Sequence, residues 1–332
     1  MIKQILVTGG LGYIGSHTVL KLIESGYFVI ILDNLSNAKV EIYDTLKSIS
    51  NSSNIKLYIG DVNDGIILEK IFNENDIFSV IHFAALKSVS ESIIKPLEYY
   101  HNNINGTINL LKHMEKYYVK NIIFSSSCTV YGEPDIYPVT EKTQLKIPKT
   151  PYGKTKLICE TILEDSNNIN AISLRYFNPI GNHKSGIIYE NPNGIPENLL
   201  PYIIGVITKK YNHLKVFGDD YDTPDGTAIR DYIDVNDLAE VHVKSLLYVE
   251  NKRYDVFNVG TGNGYSVMEI INEFKNKGFE IPYKIYPRRD GDIEKIWGDI
   301  EKSKSILKWE PKNKLSDSID SIIKMIEQNI HN

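Results

Sequence analysis

Tyr152 and Lys156 stand four positions apart, and this spacing places them on one face of a helix. A free tyrosine has a pKa of about 10, which is too high for a base near neutral pH. A lysine ammonium beside the ring favours the phenolate and lowers that pKa, so that the phenol can take a proton from an alcohol. Alone, the spacing is more typical of a solvated helix face in a chain this rich in Tyr and Lys.

A glycine-rich turn follows the first predicted strand in the run Thr8–Gly15. Glycines there permit a tight turn, a close approach of the backbone to a pyrophosphate, and close packing of helix on strand. The N-terminus of the next helix offers unpaired N–H groups to the phosphates. The GxxGxxG spacing is weak by itself, but its strand–turn–helix setting predicts a dinucleotide site formed by Gly9, Gly12, Tyr13, Ile14 and Gly15.

The second predicted strand ends at Asp33. A carboxylate at this point accepts hydrogen bonds from an adenosine ribose and repels a 2′-phosphate, so the sequence favours NAD over NADP. Asn34 and Asn37 follow as candidate adenosine contacts, and Asp61 ends the third strand, where it can face the adenine edge. The alternative is a glycine turn with an acidic cap and no cofactor.

Three serines, Ser125–Ser127, end the fifth predicted strand. Ligands bind beyond the carboxyl ends of strands in a doubly wound sheet, where these hydroxyls can hydrogen-bond a substrate oxygen. Their simpler role is to cap the strand end. Together with the dinucleotide turn and the Tyr–Lys pair, however, they predict a site that oxidises a hydroxyl group.

Alternating strands and helices must position these residues. Nearly continuous apolar runs are typical of buried parallel strands, and they occur at Gln4–Thr8, Phe28–Asp33, Lys56–Gly60, Ser79–Phe83, Asn121–Ser125 and Ala171–Tyr176. Helical patterns lie between them at Ile14–Ser25, Asp64–Asn73, Glu98–Tyr118 and Tyr152–Asp165. The alternation predicts an α/β fold with a Rossmann-type, doubly wound parallel sheet.

The pattern changes after residue 178, where loops rich in Gly, Asn and Pro begin. A later helix starts at Ser266–Glu269, which fits a capping box. We therefore predict a dinucleotide-binding domain at residues 1–178 and a smaller mixed α/β substrate domain at 179–332. Some later segments are expected to cross back to the first domain.

Composition excludes several classes of function. The 332 residues are 42% hydrophobic, enough for a large core, and the net charge of -5 argues against a nucleic-acid partner. No apolar run approaches the roughly 18 residues of a membrane helix, and we expect no signal peptide. Two cysteines, Cys128 and Cys159, and scattered histidines show no metal-ligand spacing, so we expect no metal and a cytoplasmic location.

At these residues the chain resembles the extended short-chain dehydrogenase/reductase family, and within it the UDP-galactose 4-epimerase type. The resemblance is carried by motifs along nearly the whole chain, at Val7–Thr18, Ile31–Leu35, Val80–Lys87, Lys95–Tyr100, Leu174–Pro179, Gly226–Ile233 and Pro287–Asp292. It implies tightly bound NAD, a UDP-hexose substrate and interconversion of UDP-galactose and UDP-glucose. It also implies a homodimer formed by the helices at 98–118 and 152–165.

The resemblance further implies roles for individual residues. Ser127 would hold the sugar's 4-hydroxyl and relay its proton, Tyr152 would be the base and later the acid, and Lys156 would hold the nicotinamide ribose. Further cofactor contacts are implied at Val62, Phe83, Ala84, Lys87, Asn102 and Phe177. Substrate contacts are implied at Lys87, Asn178, Asn198, Leu199, Phe217, Arg230, Tyr232, Arg289 and Asp292.

The implied substrate contacts make chemical sense, because two arginines can meet two phosphates through charge-assisted hydrogen bonds. Taken alone, Arg230 or Arg289 is more typical of a surface salt bridge. Ile296 stands where the family carries a bulky Tyr in some enzymes and a small residue in others. We therefore expect Ile296 to restrict N-acetylated UDP-hexoses, with partial or poor turnover.

Three other functions are weighed against this one. A nucleotide-sugar 4,6-dehydratase would carry an acidic pair directly after the strand-five hydroxyl, where this chain has Cys128 and Thr129. A UDP-glucuronate epimerase or decarboxylase differs only in its sugar-pocket contacts and stays open as the nearer alternative. A non-catalytic dinucleotide-binding sensor shares the fold, but it does not need Ser127, Tyr152 and Lys156.

Overall fold

The computed structural model describes residues 2–330. Its strands, in chain order, are β1 (Gln4–Thr8), β2 (Phe28–Asp33), β3 (Ile55–Ile59), β4 (Ile77–His82), β5 (Asn121–Ser127), β6 (Asn170–Tyr176), β7 (Asn178–Ile180), β8 (Leu214–Phe217), β9 (Ile229–Arg230), β10 (Tyr232–Asp234), β11 (Tyr254–Val259), β12 (Tyr265–Ser266), β13 (Tyr283–Tyr286) and β14 (Lys295–Ile296).

The helices, in chain order, are α1 (Tyr13–Glu24), α2 (Glu41–Ser50), α3 (Gly65–Glu74), α4 (Val89–Ile94), α5 (Pro96–Tyr100), α6 (Gly106–Lys116), α7 (Pro151–Asp165), α8 (Leu199–Ile207), α9 (Val235–Val249), α10 (Val267–Asn276), α11 (Glu301–Leu307) and α12 (Leu315–Ile330). A π-helical turn at His101–Asn105 joins α5 to α6, and a short 3-10 turn at Cys128–Tyr131 follows β5.

A parallel sheet of seven strands forms the centre of the fold, in the order β11-β6-β5-β4-β1-β2-β3. Successive residues of a strand point to opposite faces. Ile5 and Val7 therefore pack in one core with residues of α1 and α9, whereas Leu6 packs in a second core with residues of α3 and α6. Helices cover both faces, and the predicted doubly wound α/β fold is confirmed.

The six predicted strands lie within two residues of observed ones. A seventh strand, β11, joins them from the later part of the chain by pairing with β6, and the sequence pattern did not identify it. One expectation about elements was wrong. The single helix predicted at Glu98–Tyr118 is interrupted, because α5 starts earlier, at Pro96, and the π-helical turn separates it from α6. Pattern alone also missed α2 and α4.

The later part of the chain forms small sheets around a third core. β7 pairs with β10, β8 with β13, and β9 lies between β12 and β14. Residues of α8, α10 and α12 fill this core, and the predicted capping box at Ser266 and Glu269 is present at the start of α10. The domain boundary at residue 178 stays a prediction. Within residues 2–330, no helix is long and apolar enough to cross a membrane.

Candidate active site

The glycine-rich turn between β1 and α1 leaves no room for side chains. A Cβ on Gly9, whose φ is +68°, would lie 2.9 Å from the Ala84 backbone nitrogen, and a Cβ on Gly15 would lie 2.2 Å from the Gly9 carbonyl oxygen. Gly12 is the N-cap residue of α1, so no side chain caps the helix. Its first N–H groups are therefore free to bind an anion, and the turn fits a pyrophosphate.

Asp33 ties the end of β2 to this turn. One carboxylate oxygen accepts a hydrogen bond from the Leu11 amide at 3.0 Å, and the other accepts one from the Leu35 amide at 2.9 Å. Burial raises the pKa of Asp33, and these two hydrogen bonds work in the opposite direction by stabilising the carboxylate. The acid is thus held at the edge of the glycine turn, where an adenosine ribose would lie.

Asparagine and aspartate side chains continue the site along β3. The Asn34 amide donates to Asp61 at 2.7 Å, and Asn63 donates both to Asp61 and, at 3.5 Å, to Asn102. Three of the predicted cofactor residues therefore belong to one hydrogen-bonded chain. Val62 is buried beside it, and Asn37 accepts a hydrogen bond from the Asn193 amide at 3.3 Å.

Phe83 and Ala84 follow β4 beside the glycine turn. Their backbone amides donate to the backbone oxygen and side-chain oxygen of Thr8 at 3.0 and 3.3 Å, respectively. The Phe83 ring contacts His242 with 4.8 Å between ring centroids. Phe177 follows β6 and is buried. The predicted cofactor residues of β1, β4 and β6 all lie at the carboxyl ends of parallel strands, which share one edge of the sheet.

Ser127 and Tyr152 come together at that edge. Ser127 is the last residue of β5, and its oxygen accepts hydrogen bonds from the Thr129 amide at 3.2 Å and hydroxyl at 3.0 Å. Burial raises the pKa of Tyr152 to about 12, while the nearby Ser127 hydroxyl works in the opposite direction. The two side chains therefore lie near each other, although one belongs to β5 and the other to α7.

Lys156 lies on the same face of α7 as Tyr152 and also contacts β5. Its ammonium donates to the Ser125 carbonyl at 2.6 Å and lies 5.9 Å from the centroid of the Tyr152 ring. Burial lowers the pKa of Lys156 to about 8. Burial outweighs the other influences on the Tyr152 phenol and keeps its pKa high. The lowering of that pKa by Lys156 together with a bound, positively charged nicotinamide stays a prediction.

Polar residues that sequence reasoning missed hold α7 in place. Thr150 caps the helix, and Asn103 donates to Thr155 at 3.0 Å. Glu160 accepts from Ser126 at 2.5 Å and forms a buried pair with Arg175 at 2.6 Å. Glu160 lies four residues after Lys156, on the face that carries the Tyr–Lys pair, and this spacing is the one sequence signal that could have revealed it.

Asp292 joins the two candidate phosphate-binding arginines. Its carboxylate accepts from Arg230 at 2.7 Å and from Arg289 at 3.0 and 3.2 Å. Burial pushes the pKa of Asp292 upward, but the charges of both arginines outweigh it and hold the carboxyl below its usual range. The Arg289 guanidinium also lies 4.8 Å from the centroid of the Phe217 ring. These four predicted substrate residues form one cluster.

The remaining predicted substrate residues lie at element ends or within cores. Asn178 starts β7, whose partner strand β10 starts at Tyr232, and Asn198 and Leu199 begin α8. Tyr232 is 4% exposed and packs in the third core. Ile296 is 1% exposed; it packs in a cluster with Cys128 and Phe177 and pairs in register with Arg230. It therefore lies between the end of β5 and the arginine cluster.

Comparison with known proteins agrees with this geometry. A family model described as GDP-mannose 4,6 dehydratase matches residues 6–322. A UDP-glucose 4-epimerase of Bacillus subtilis is 50% identical over 319 residues, which cover 94% of each chain. The UDP-glucose 4-epimerase from Bifidobacterium longum, solved in complex with NAD+ and UDP, matches with a TM-score of 0.96 and 45% identity over 99% of both chains.

This chain belongs to the UDP-glucose 4-epimerase family. A UDP-glucose 4-epimerase from Stenotrophomonas maltophila, solved with bound NAD and formylated UDP-arabinopyranose, matches with a TM-score of 0.95 and 40% identity over 99% of both chains. These matches cover the first part of the chain, which carries the glycine turn, and also the later part. The likeness to UDP-glucose 4-epimerases therefore extends beyond the nucleotide-binding fold to the residues expected to bind the substrate.

The residues after Ser127 favour epimerase over dehydratase chemistry. A dehydratase would carry acids at this place, but the structure has Cys128, whose pKa burial raises to about 12, and Thr129, which donates to Ser127. Neither group supplies a carboxylate to remove water from the sugar. The local chemistry therefore agrees with the UDP-glucose 4-epimerase relatives rather than with the description of the family model.

Proposed function

We propose that this enzyme interconverts UDP-galactose and UDP-glucose by oxidising C4 of the hexose and reducing the 4-keto sugar on its opposite face. The observation that supports the proposal is that Ser127 ends β5 at the same sheet edge as the glycine turn, with Tyr152 of α7 close to it. A hydroxyl pair at that edge can hold an alcohol oxygen beside a dinucleotide.

NAD fits the first half of the site. The confined turn at Gly9 and Gly15, the uncapped start of α1 and the carboxylate of Asp33 suit its pyrophosphate and adenosine ribose. When bound, NAD accepts a hydride from C4 and later returns it. The chain itself must orient the sugar, exclude water and move the O4 proton.

Ser127 and Tyr152 transfer the proton of the O4 hydroxyl. Tyr152 removes it, Ser127 holds the oxygen, and the same phenol returns the proton when the sugar is reduced. The phenol is buried and its pKa is about 12, so a positive charge near it is needed to favour the phenolate. Lys156, whose ammonium donates to the Ser125 carbonyl, would bind the nicotinamide ribose.

The arginine cluster holds the nucleotide while the sugar turns. Arg230 and Arg289 are both oriented by Asp292, and Arg289 lies beside Phe217. Two oriented guanidinium groups suit a diphosphate. If most of the binding energy comes from UDP, the 4-keto sugar can rotate without leaving the site. A strong nucleotide clamp and a looser sugar pocket therefore belong together.

A coupled assay tests the function directly. The purified protein is incubated with UDP-galactose in the absence of added NAD, and the reaction is stopped. UDP-glucose is then measured in a second step with a dehydrogenase specific for it and added NAD, and the cofactor of a separate protein sample is released by acid and identified. We expect UDP-glucose to form with no added NAD, and extracted NAD in amounts comparable to the protein. A dehydrated sugar product would contradict the proposal and indicate a dehydratase. Bound NAD without any product would contradict it as well and indicate a non-catalytic sensor.

Ile296 predicts a restricted sugar pocket. Because it is buried between the β5 end and Arg230, we expect UDP-N-acetylgalactosamine to be turned over about 10-fold more slowly than UDP-galactose. Ile296→Cys should raise the ratio of the two rates, while Ile293→Cys, a change at a partly buried neighbour of the same cluster, should not. Equal rates of the wild-type enzyme on both sugars would rule out the gate.

We further propose a cytoplasmic homodimer. Support for the dimer comes from apolar side chains that stay exposed near the two predicted interface helices: Ile94 of α4 at 79%, Leu97 of α5 at 81% and Ile158 of α7 at 38%. Exposed apolar side chains that lie together are typical of a protein–protein interface. The two buried free cysteines agree with a reducing compartment. Sedimentation at the 37.8 kDa of a single chain would exclude the dimer.

A further inference from the structure

Glu190 connects the two halves of the site. It lies on the segment between β7 and α8, here called the crossing segment (residues 181–198), which contains no helix or strand. One carboxylate oxygen of Glu190 accepts a hydrogen bond from the Lys87 ammonium at 2.9 Å and another from the Asn198 amide at 2.8 Å. Lys87 follows β4, whereas Asn198 precedes α8. A single oxygen thus fixes one donor from each half.

The burial of the partners distinguishes this arrangement from an ordinary surface ion pair. The Lys87 side chain is 48% exposed, but that of Glu190 is only 9% exposed. A nearly buried carboxylate is costly unless hydrogen-bond donors stabilise its charge. The position of the Glu190 carboxylate is therefore closely determined by its two donors. Surface pairs, in contrast, hold two flexible side chains only weakly.

Asn198 gives a second, independent indication. It is the N-cap residue of α8, and asparagine at this position usually accepts a hydrogen bond from the helix backbone. Here its side chain makes no cap hydrogen bond and instead donates to Glu190. The hydrogen bond to Glu190 therefore replaces the usual capping hydrogen bond of Asn198, and the first N–H groups of α8 lack a side-chain cap.

The crossing segment is attached on both sides of the site. Asn193 donates to the backbone oxygen of Ser36 at 3.2 Å, on the cofactor side. Glu197 is hydrogen-bonded to Ser88, and its backbone oxygen accepts from Arg289 at 3.3 Å, on the nucleotide side. Glu190 precedes both attachments in the chain, and its own hydrogen bonds to Lys87 and Asn198 reach both halves as well.

We propose that Glu190 is a positioning residue, which orients the Lys87 ammonium and the Asn198 amide toward the diphosphate and sugar of the substrate. This rests on the proposed function, since it assumes a UDP-hexose in the site. A lysine on a flexible stem loses side-chain freedom when it binds a ligand, and a residue that orders it beforehand reduces that cost. Glu190 therefore acts on substrate binding and leaves the proton transfer at Tyr152 unchanged.

The test separates binding from turnover. Glu190→Ala is expected to raise KM for UDP-galactose about 10-fold, with kcat within about 2-fold of wild type, because ordering of two donors is lost. Glu190→Gln keeps an acceptor oxygen for both donors and should restore most of the loss. Calorimetric titration with UDP alone should show the same order of affinities. Glu69→Ala removes the carboxylate of a surface pair with Lys116 and should change neither value.

A double-mutant cycle identifies the route of the effect. In a Lys87→Met background, Glu190→Ala should raise KM clearly less than it does in the wild type, because one of the two side chains that Glu190 orients is already absent.

Unchanged KM and UDP affinity in Glu190→Ala would overturn the proposal, as would equal losses in Glu190→Ala and Glu190→Gln. Tighter UDP binding by both variants would overturn it too, since the carboxylate would then compete with phosphate. A wild-type protein that binds UDP but does not epimerise UDP-galactose would refute the proposed function instead, and the UDP titrations would still test Glu190.

Discussion

Tyr152→Phe should lose epimerase activity by about 10³-fold in kcat, since general acid–base groups contribute roughly 10²- to 10⁴-fold. The substitution removes a single oxygen from a half-buried ring and leaves the shape of the ring unchanged. The lost oxygen is the one that takes the O4 proton and returns it.

The matched control for this variant is Tyr118→Phe, because Tyr118 is 86% exposed and lies outside the site. Tyr118→Phe should keep full activity. This result would exclude the general loss of a phenol oxygen as the cause of the low activity of Tyr152→Phe. Tyr152→Phe should still bind UDP and retain NAD in amounts close to wild type. If it epimerised at the wild-type rate with NAD retained, the assignment of Tyr152 as the base would be wrong.

Gly15→Ala should abolish retention of NAD through purification. When NAD is added to the assay, kcat/KM should still be lower by about 10²-fold, because small displacements of a bound group cost catalysis this much. The added Cβ would lie 2.2 Å from the Gly9 carbonyl oxygen and 2.9 Å from the Gly10 Cα. These are backbone atoms, so no side-chain rotation can relieve the overlap. The glycine turn must therefore move away from the start of α1, where the pyrophosphate would bind.

The control is Gly65→Ala, at the first residue of α3, where the nearest atom to an added Cβ is 3.7 Å away. This variant should keep its cofactor and activity. The ratio of absorbance at 260 and 280 nm, together with acid extraction, measures NAD per chain in both variants. A thermal melt shows whether Gly15→Ala still folds, and a folded variant with wild-type NAD content would contradict the assigned role of the turn.

Local patterns predicted the parts of the site whose geometry depends on neighbouring residues. The turn at Gly9–Gly15 and the acid at Asp33 are linked within one strand–turn–helix–strand unit, so their spacing decides their relation. The start of α7 is likewise local, because Thr150 and Pro151 set the register that puts Tyr152 and Lys156 on one face. The apolar runs predicted the central strands for the same reason.

The sequence thus determined the fold class, the dinucleotide turn and the Tyr–Lys spacing. Only the tertiary structure decided what Lys156 and Glu190 contact. Lys156 donates to the Ser125 carbonyl of β5, and Glu190 binds Lys87, which is far from it in the sequence. The sequence pattern did not predict the pairing of β11 with β6 either. Such partners depend on which segments pack together and on how deeply they are buried, and no spacing along the chain encodes either quantity.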